Sequence, residues 1–171
     1  MTLTITKAVP THRPMPVVII LTLLTVLGMG AVGGGFAMTL GIGGESMLPD
    51  EYLEAIPLVD NWVIPGLVLL VGFGIGSLIA AYGVLRRPRW TWLAGLERRT
   101  GHHWSWIATI LIGAGQAIWI ALELISIPFS ILMAVFGPLG LALALLPLTR
   151  LVGGYLEADP LPAQPITVGP K

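Results

Sequence analysis

The sequence contains no cysteine, which excludes a disulfide framework, a thiolate nucleophile and any metal site built on thiolates. Charge is almost as scarce. Asp, Glu, Lys and Arg make up 11% of the 171 residues, against about 25% in a typical soluble domain. Such a chain cannot cover a water-soluble globule with polar groups, and a hydrophobic content of 55% with a mean hydropathy of +0.87 agrees. Familiar catalytic patterns are also missing: there is no GxSxG, no HExxH and no cluster of Asp and His within an apolar run. The chain therefore reads as a non-enzymatic membrane protein, with no catalytic, cofactor-binding or metal-ligating residues expected. Its formal net charge of zero gives no indication of a nucleic-acid partner.

What the sequence does have is four long apolar runs, over about 16–40, 62–85, 104–127 and 129–148. Each has roughly the 20 residues needed to cross about 30 Å of hydrocarbon at about 1.5 Å per residue. A spanning segment must satisfy its own backbone hydrogen bonds, and these runs lack the alternation of barrel strands, so helices are predicted. The expected fold is all-α: a polytopic four-transmembrane-helix bundle over 15–150, preceded by a short segment at 1–14 and followed by a flexible tail at 151–171. Lys7, Arg13 and the small-x-small pattern Gly35-Phe36-Ala37 resemble a cleaved signal peptide. The first run exceeds the 7–15 residues of a signal core and stays apolar past the cut, so a retained span is the preferred reading.

The nine basic residues all fall on one side of this topology. Lys7 and Arg13 precede the first span, Arg86, Arg87, Arg89, Arg98 and Arg99 link the second and third, and Arg150 and Lys171 follow the fourth. The link between the first two spans carries Glu45, Asp50, Glu51, Glu54 and Asp60 without one Lys or Arg. The positive-inside rule then places both termini and the arginine link in the cytoplasm of a bacterial inner-membrane protein. The five arginines are candidate contacts for lipid headgroups as well as topology determinants. Trp90, Trp92, Trp104 and Trp106 near the inner boundary and Trp62 near the outer one suit an aromatic belt. The segment Pro88 to Arg99 has the pattern of a short amphipathic helix on the inner leaflet.

Two intramembrane features remain. Gly30 with Gly34 and Gly72 with Gly76 form GxxxG pairs, which let helix backbones approach closely. They fit either packing of the first helix on the second, the preferred reading, or a homodimer seam. The run Gly33-Gly34-Gly35 is expected to loosen the first helix, and Pro138 to bend the fourth. Glu123 is the single ionisable residue well inside a span, with Gln116 seven residues earlier on the same face and Trp119 between them. This stripe is the candidate transport or polar-contact site, for proton coupling or for a cation. The alternative is that Glu123 snorkels to the interface. His102 and His103 are adjacent and so lack the i, i+4 spacing of a helical metal pair; interfacial hydrogen bonding is expected of them. The acidic link is expected to hold a short helix near Pro49 to Pro57 and to be a solvated face.

The segments Met47-Leu48-Pro49, Ile56-Pro57 and Val63-Ile64-Pro65-Gly66-Leu67-Val68-Leu69-Leu70, followed by a basic link and two more helices, resemble a class of small bacterial four-helix membrane proteins without an assigned activity. The likeness spans most of residues 15 to 150 and implies four spans and no functional residue. Small four-helix drug exporters are a poorer comparison, because their essential glutamate lies in a first helix that here has no acid. Two functional expectations follow. One is an accessory or interaction component whose partners are the lipid bilayer and another membrane protein or a second copy. The other is a small oligomeric transporter or channel that uses Glu123 and Gln116.

Overall fold

The computed structural model describes residues 13–43, 61–126 and 128–158. Four helices in it are long and apolar enough to cross a membrane: α1 (Met15–Leu40), α2 (Val63–Arg86), α4 (Trp104–Ser126) and α5 (Ile131–Leu145), the last extended by a 3₁₀ turn at Leu146–Leu148. Two short helices, α3 (Ala94–Thr100) and α6 (Arg150–Tyr155), lie at the end where α2 meets α4 and where the chain leaves α5. That end carries the arginines and is called the basic end; the opposite one, toward the acidic link, is the acidic end. The short helix expected around residues 49–57 lies outside the described residues.

The helix termini have identifiable causes. Proline occupies the first turn of α1, where a missing N–H costs nothing. Gly41, with φ of 63°, closes the helix as Ile42 N–H reaches back to the Ala37 carbonyl, a Schellman arrangement. Thr22 and Thr25, exposed on the lipid side, return their hydroxyls to the carbonyls of Val18 and Leu21, so no polar group there is left bare. The Ser130 hydroxyl caps α5 by accepting from Met133 N–H. Contrary to expectation, Gly33-Gly34-Gly35 does not interrupt α1. The irregularity lies opposite, in α2, where Val68–Ile75 is π-helical. The helix α5 runs on through Pro138.

Lipid supplies no hydrophobic drive between helices, so contact depends on how closely the surfaces fit. The seam between α1 and α2 is an alternation of glycine and larger residues read in antiparallel register: Gly28 faces Leu78, Val32 faces Gly74, Gly35 faces Leu70 and Thr39 faces Gly66. A Cβ on Gly35 would lie 2.6 Å from Leu70 N, and one on Gly66 2.6 Å from Thr39 Oγ1. This corrects the expected assignment. A Cβ on Gly72 would meet nothing within 4 Å, and one on Gly76 would reach α4 only at Ile112, 4.0 Å away. The α2 seam repeats every four residues as Gly66, Leu70, Gly74 and Leu78, on a face roughly opposite Gly72.

The pairs α1–α2 and α4–α5 are antiparallel hairpins, the second closed by Gly113 against Ala144 and Gly140 against Ala117. They join at the basic end. There Val17, Ile20, Leu24, Ala80, Val84, Leu139, Leu143, Val152 and Leu156 form one buried cluster, and Gly83 makes room for the Trp104 ring. The tail expected to be flexible thus begins as structure. α6 and Leu156 pack into this cluster, His103 N–H donates to Leu156 O at 2.7 Å, and Ala158 N–H donates to Gly101 O at 3.0 Å. Residues 159–171 lie outside the description. Because Leu156 is fully buried, Leu156→Ala is expected to lower stability by about 2–5 kcal/mol, measured by thermal unfolding in mild detergent against the equally conservative but exposed Leu151→Ala.

Candidate functional site

Toward the acidic end the two hairpins part and leave a cleft of about 590 Å³. One wall is α1, through Gly30, Ala31, Gly34, Ala37 and Met38, with Leu69 of α2 behind it; the other is α4 and α5, through Gln116, Trp119, Ile120, Glu123, Leu132 and Phe136. Leu27 lies at the deep end and Ile42 at the acidic end. The first-helix pair Gly30 and Gly34 therefore lines this cleft: Gly30 lies beneath the Phe136 ring and Gly34 beside Leu69. Small residues here make room, where the sequence suggested a seam.

All three residues of the predicted polar stripe reach the same cleft. The Trp119 indole N–H donates to Glu123 Oε1 at 2.6 Å, and the indole is steadied from α2 by an edge-on contact with Phe73, ring centroids 6.0 Å apart. Phe73 belongs to the π-helical stretch, an irregularity that is common beside functional sites. Gln116 is only 2% exposed, held where Gly140 packs against its Cβ and Cγ, and its side-chain carbonyl oxygen accepts no hydrogen bond among the described residues. A buried acceptor left open is costly, and native structures keep few of them. Glu123 lies about seven residues farther along α4, hence roughly 10 Å toward the acidic end at about 1.5 Å per residue.

The cleft therefore displays the Glu123 carboxyl on an otherwise apolar, partly aromatic wall, with the Gln116 carbonyl oxygen sealed behind it. Among the described residues no basic side chain is placed to offset Glu123. The spans' acidic-end connections, 41–62 and 126–130, contain no Lys or Arg, and the described arginines belong to the basic end. Sequence reasoning identified the stripe on α4 and missed the rest of the lining. Leu132, Phe136, Gly34 and Ala37 have no polar signature, and only the splaying of the hairpins makes them a surface.

The basic end is more closely tied together. Trp90 stacks between Trp92 and Trp104, with centroids 5.7 and 4.7 Å apart, so the expected aromatic belt is a stacked column. Trp92 is 75% exposed at its outer edge. His103 is buried. Its Nδ1 accepts from Ser105 N–H at 3.3 Å, which leaves the proton on Nε2, 3.1 Å from Pro88 O. The Trp104 indole N–H donates to the same carbonyl, and Glu97 Oε1 accepts from Trp104 N–H. His102 stacks on Trp106. Arg87, in the left-handed region at φ 49°, ends α2; its guanidinium donates to Glu157 O at 2.8 Å and lies over the Tyr155 ring. Of the five arginines, Arg87 and Arg89 share a cavity of about 200 Å³ with Trp90, Glu97 and His103. Arg86, Arg98 and Arg99 are exposed separately.

Comparison of the chain with protein-family models, with curated proteins and with solved structures gives no match.

Proposed function

We propose that this chain is a non-enzymatic multi-pass protein of a bacterial inner membrane, with its termini and arginine link in the cytoplasm, that takes a small amphipathic molecule into its acidic-end cleft. The cleft then faces the outer half of the bilayer, and the packed basic end closes it from inside, as in a carrier open to one side. The observation that carries this reading is the convergence of Gln116, Trp119 and Glu123 on one apolar cleft. Ligand sites are mostly apolar with a few placed polar groups, and intramembrane carboxylates tend to serve function. An accessory component would need a close-packing face for its partner. Gly28, Gly35, Gly66, Gly74, Gly113 and Gly140 are spent on contacts within this chain, which favours the cleft reading.

The test is the set of small molecules that co-purify with the protein in mild detergent, identified by mass spectrometry. A near-stoichiometric amphiphile is expected with the native chain. It should fall at least tenfold with Ala37→Trp, which fills the cleft from the α1 wall, and should persist with Leu141→Trp on an exposed face of α5. A profile identical in all three proteins contradicts the cleft reading.

A further inference from the structure

The cleft's polar groups also restrict what can occupy it, and this inference rests on the cleft reading above. The charged group on its lining is the Glu123 carboxyl, an acceptor. The Trp119 indole N–H is already used on it. An anionic ligand, such as a carboxylate or a phosphate, would face repulsion from that carboxylate. A neutral hydrocarbon would leave it without a partner. The remaining wall offers the aromatic rings of Trp119 and Phe136, which favour a cation over their faces. The connections at this end, 41–62 and 126–130, contain no Lys or Arg, and no described basic side chain neutralises Glu123, so a positive charge has to come from outside.

We infer that the occupant is a cationic amphiphile, an apolar body carrying a protonated amine, whose ammonium group donates to Glu123 near the acidic end while the body lies along Gly30, Gly34 and Phe136. Charge complementarity selects this class over its neutral analogues, because the ammonium–carboxylate contact forms in a low-dielectric setting where it is strongest. The link between the first two spans carries Glu45, Asp50, Glu51, Glu54 and Asp60, a charge balance that favours cations on this side of the membrane.

The experiment is equilibrium binding of radiolabelled dodecylammonium to the full chain in phosphatidylcholine nanodiscs, with empty nanodiscs subtracted, in competition with unlabelled dodecylammonium or dodecanol. Dodecylammonium is expected to compete at least tenfold better than dodecanol at equal membrane concentration. Glu123→Gln, which keeps the shape and can still accept from Trp119, should reduce that preference to less than twofold. Equal competition by amine and alcohol, with both displaced by Ala37→Trp, overturns the ammonium assignment and leaves the cleft reading standing. Binding unaffected by Ala37→Trp overturns both. A tenfold preference that survives in Glu123→Gln also overturns the assignment, since the charge partner would then lie elsewhere.

Discussion

Gly113→Ala is expected to cost about 2–3 kcal/mol of stability, even though alanine is favoured over glycine by about 1 kcal/mol inside a helix. The reason is the identity of the atoms in its way. The added Cβ would collide with Ala144 N and come within 2.7 Å of the Leu143 carbonyl carbon and the Gly140 oxygen, all of them backbone. A flexible side chain can swing aside, whereas a backbone can yield only if α4 and α5 move apart along their length. The contact would be lost for the whole register, including Gly140 against Ala117 and Gly137 against Ile120. Gly72→Ala provides the opposite sign. Nothing lies within 4 Å of its Cβ position, so the propensity gain stands alone and a neutral to slightly stabilising result is expected. Both variants are read by thermal unfolding in the same detergent. Equal destabilisation of the two would remove the account of the seams given above.

The second large effect concerns the two polar residues of α4, which should respond differently. Gln116→Leu retains the Cβ and Cγ that pack against Gly140 and removes a buried carbonyl oxygen without a partner. Stability is therefore expected to hold or to rise by about 1 kcal/mol. Glu123→Gln keeps the shape of the cleft lining but removes its charge. Occupancy of the cleft by the co-purifying molecule should weaken roughly tenfold, the equivalent of about 1.4 kcal/mol, because the ligand loses its charge partner in an apolar site. Thermal unfolding in detergent reads the first effect and mass spectrometry of the purified protein the second. A marked loss of stability in Gln116→Leu would mean that its amide holds the helices together, and unchanged occupancy in Glu123→Gln would remove the carboxyl from the site.

The four spans and their boundaries were legible because a membrane imposes one requirement on every turn: about 20 apolar residues with all backbone groups satisfied within the helix. Composition carries that information without reference to any neighbour. The same holds for the segregation of nine basic residues from the acidic link, and for the stripe of Gln116, Trp119 and Glu123, which follows from helical periodicity alone. The assignment of glycines was less legible. GxxxG at Gly72 and Gly76 marks a face of α2, but which face meets α1 depends on what stands opposite. The seam that forms is the one in which Gly66 and Gly74 receive Thr39 and Val32 while Leu70 and Leu78 enter over Gly35 and Gly28. That match is a property of two sequences read in antiparallel register, and no local motif contains it.

The tail shows a similar limit. Leu151 to Ala158 is short, broken by two glycines and followed by a proline-rich stretch, yet Val152 and Leu156 are fully buried and Arg87 reaches Glu157 O across seventy positions. By itself the sequence determined that this chain crosses a membrane four times, with its charge divided between two ends and one carboxyl left among apolar residues. Only the tertiary structure decided that the hairpins pack at the basic end and part at the acidic end, so that this carboxyl and an indole face Gly34 and Ala37 across open space. The physical reason is that solvation acts on each residue separately and so is written in composition. Close packing in lipid depends on pairs of surfaces, and those exist only once the helices have met.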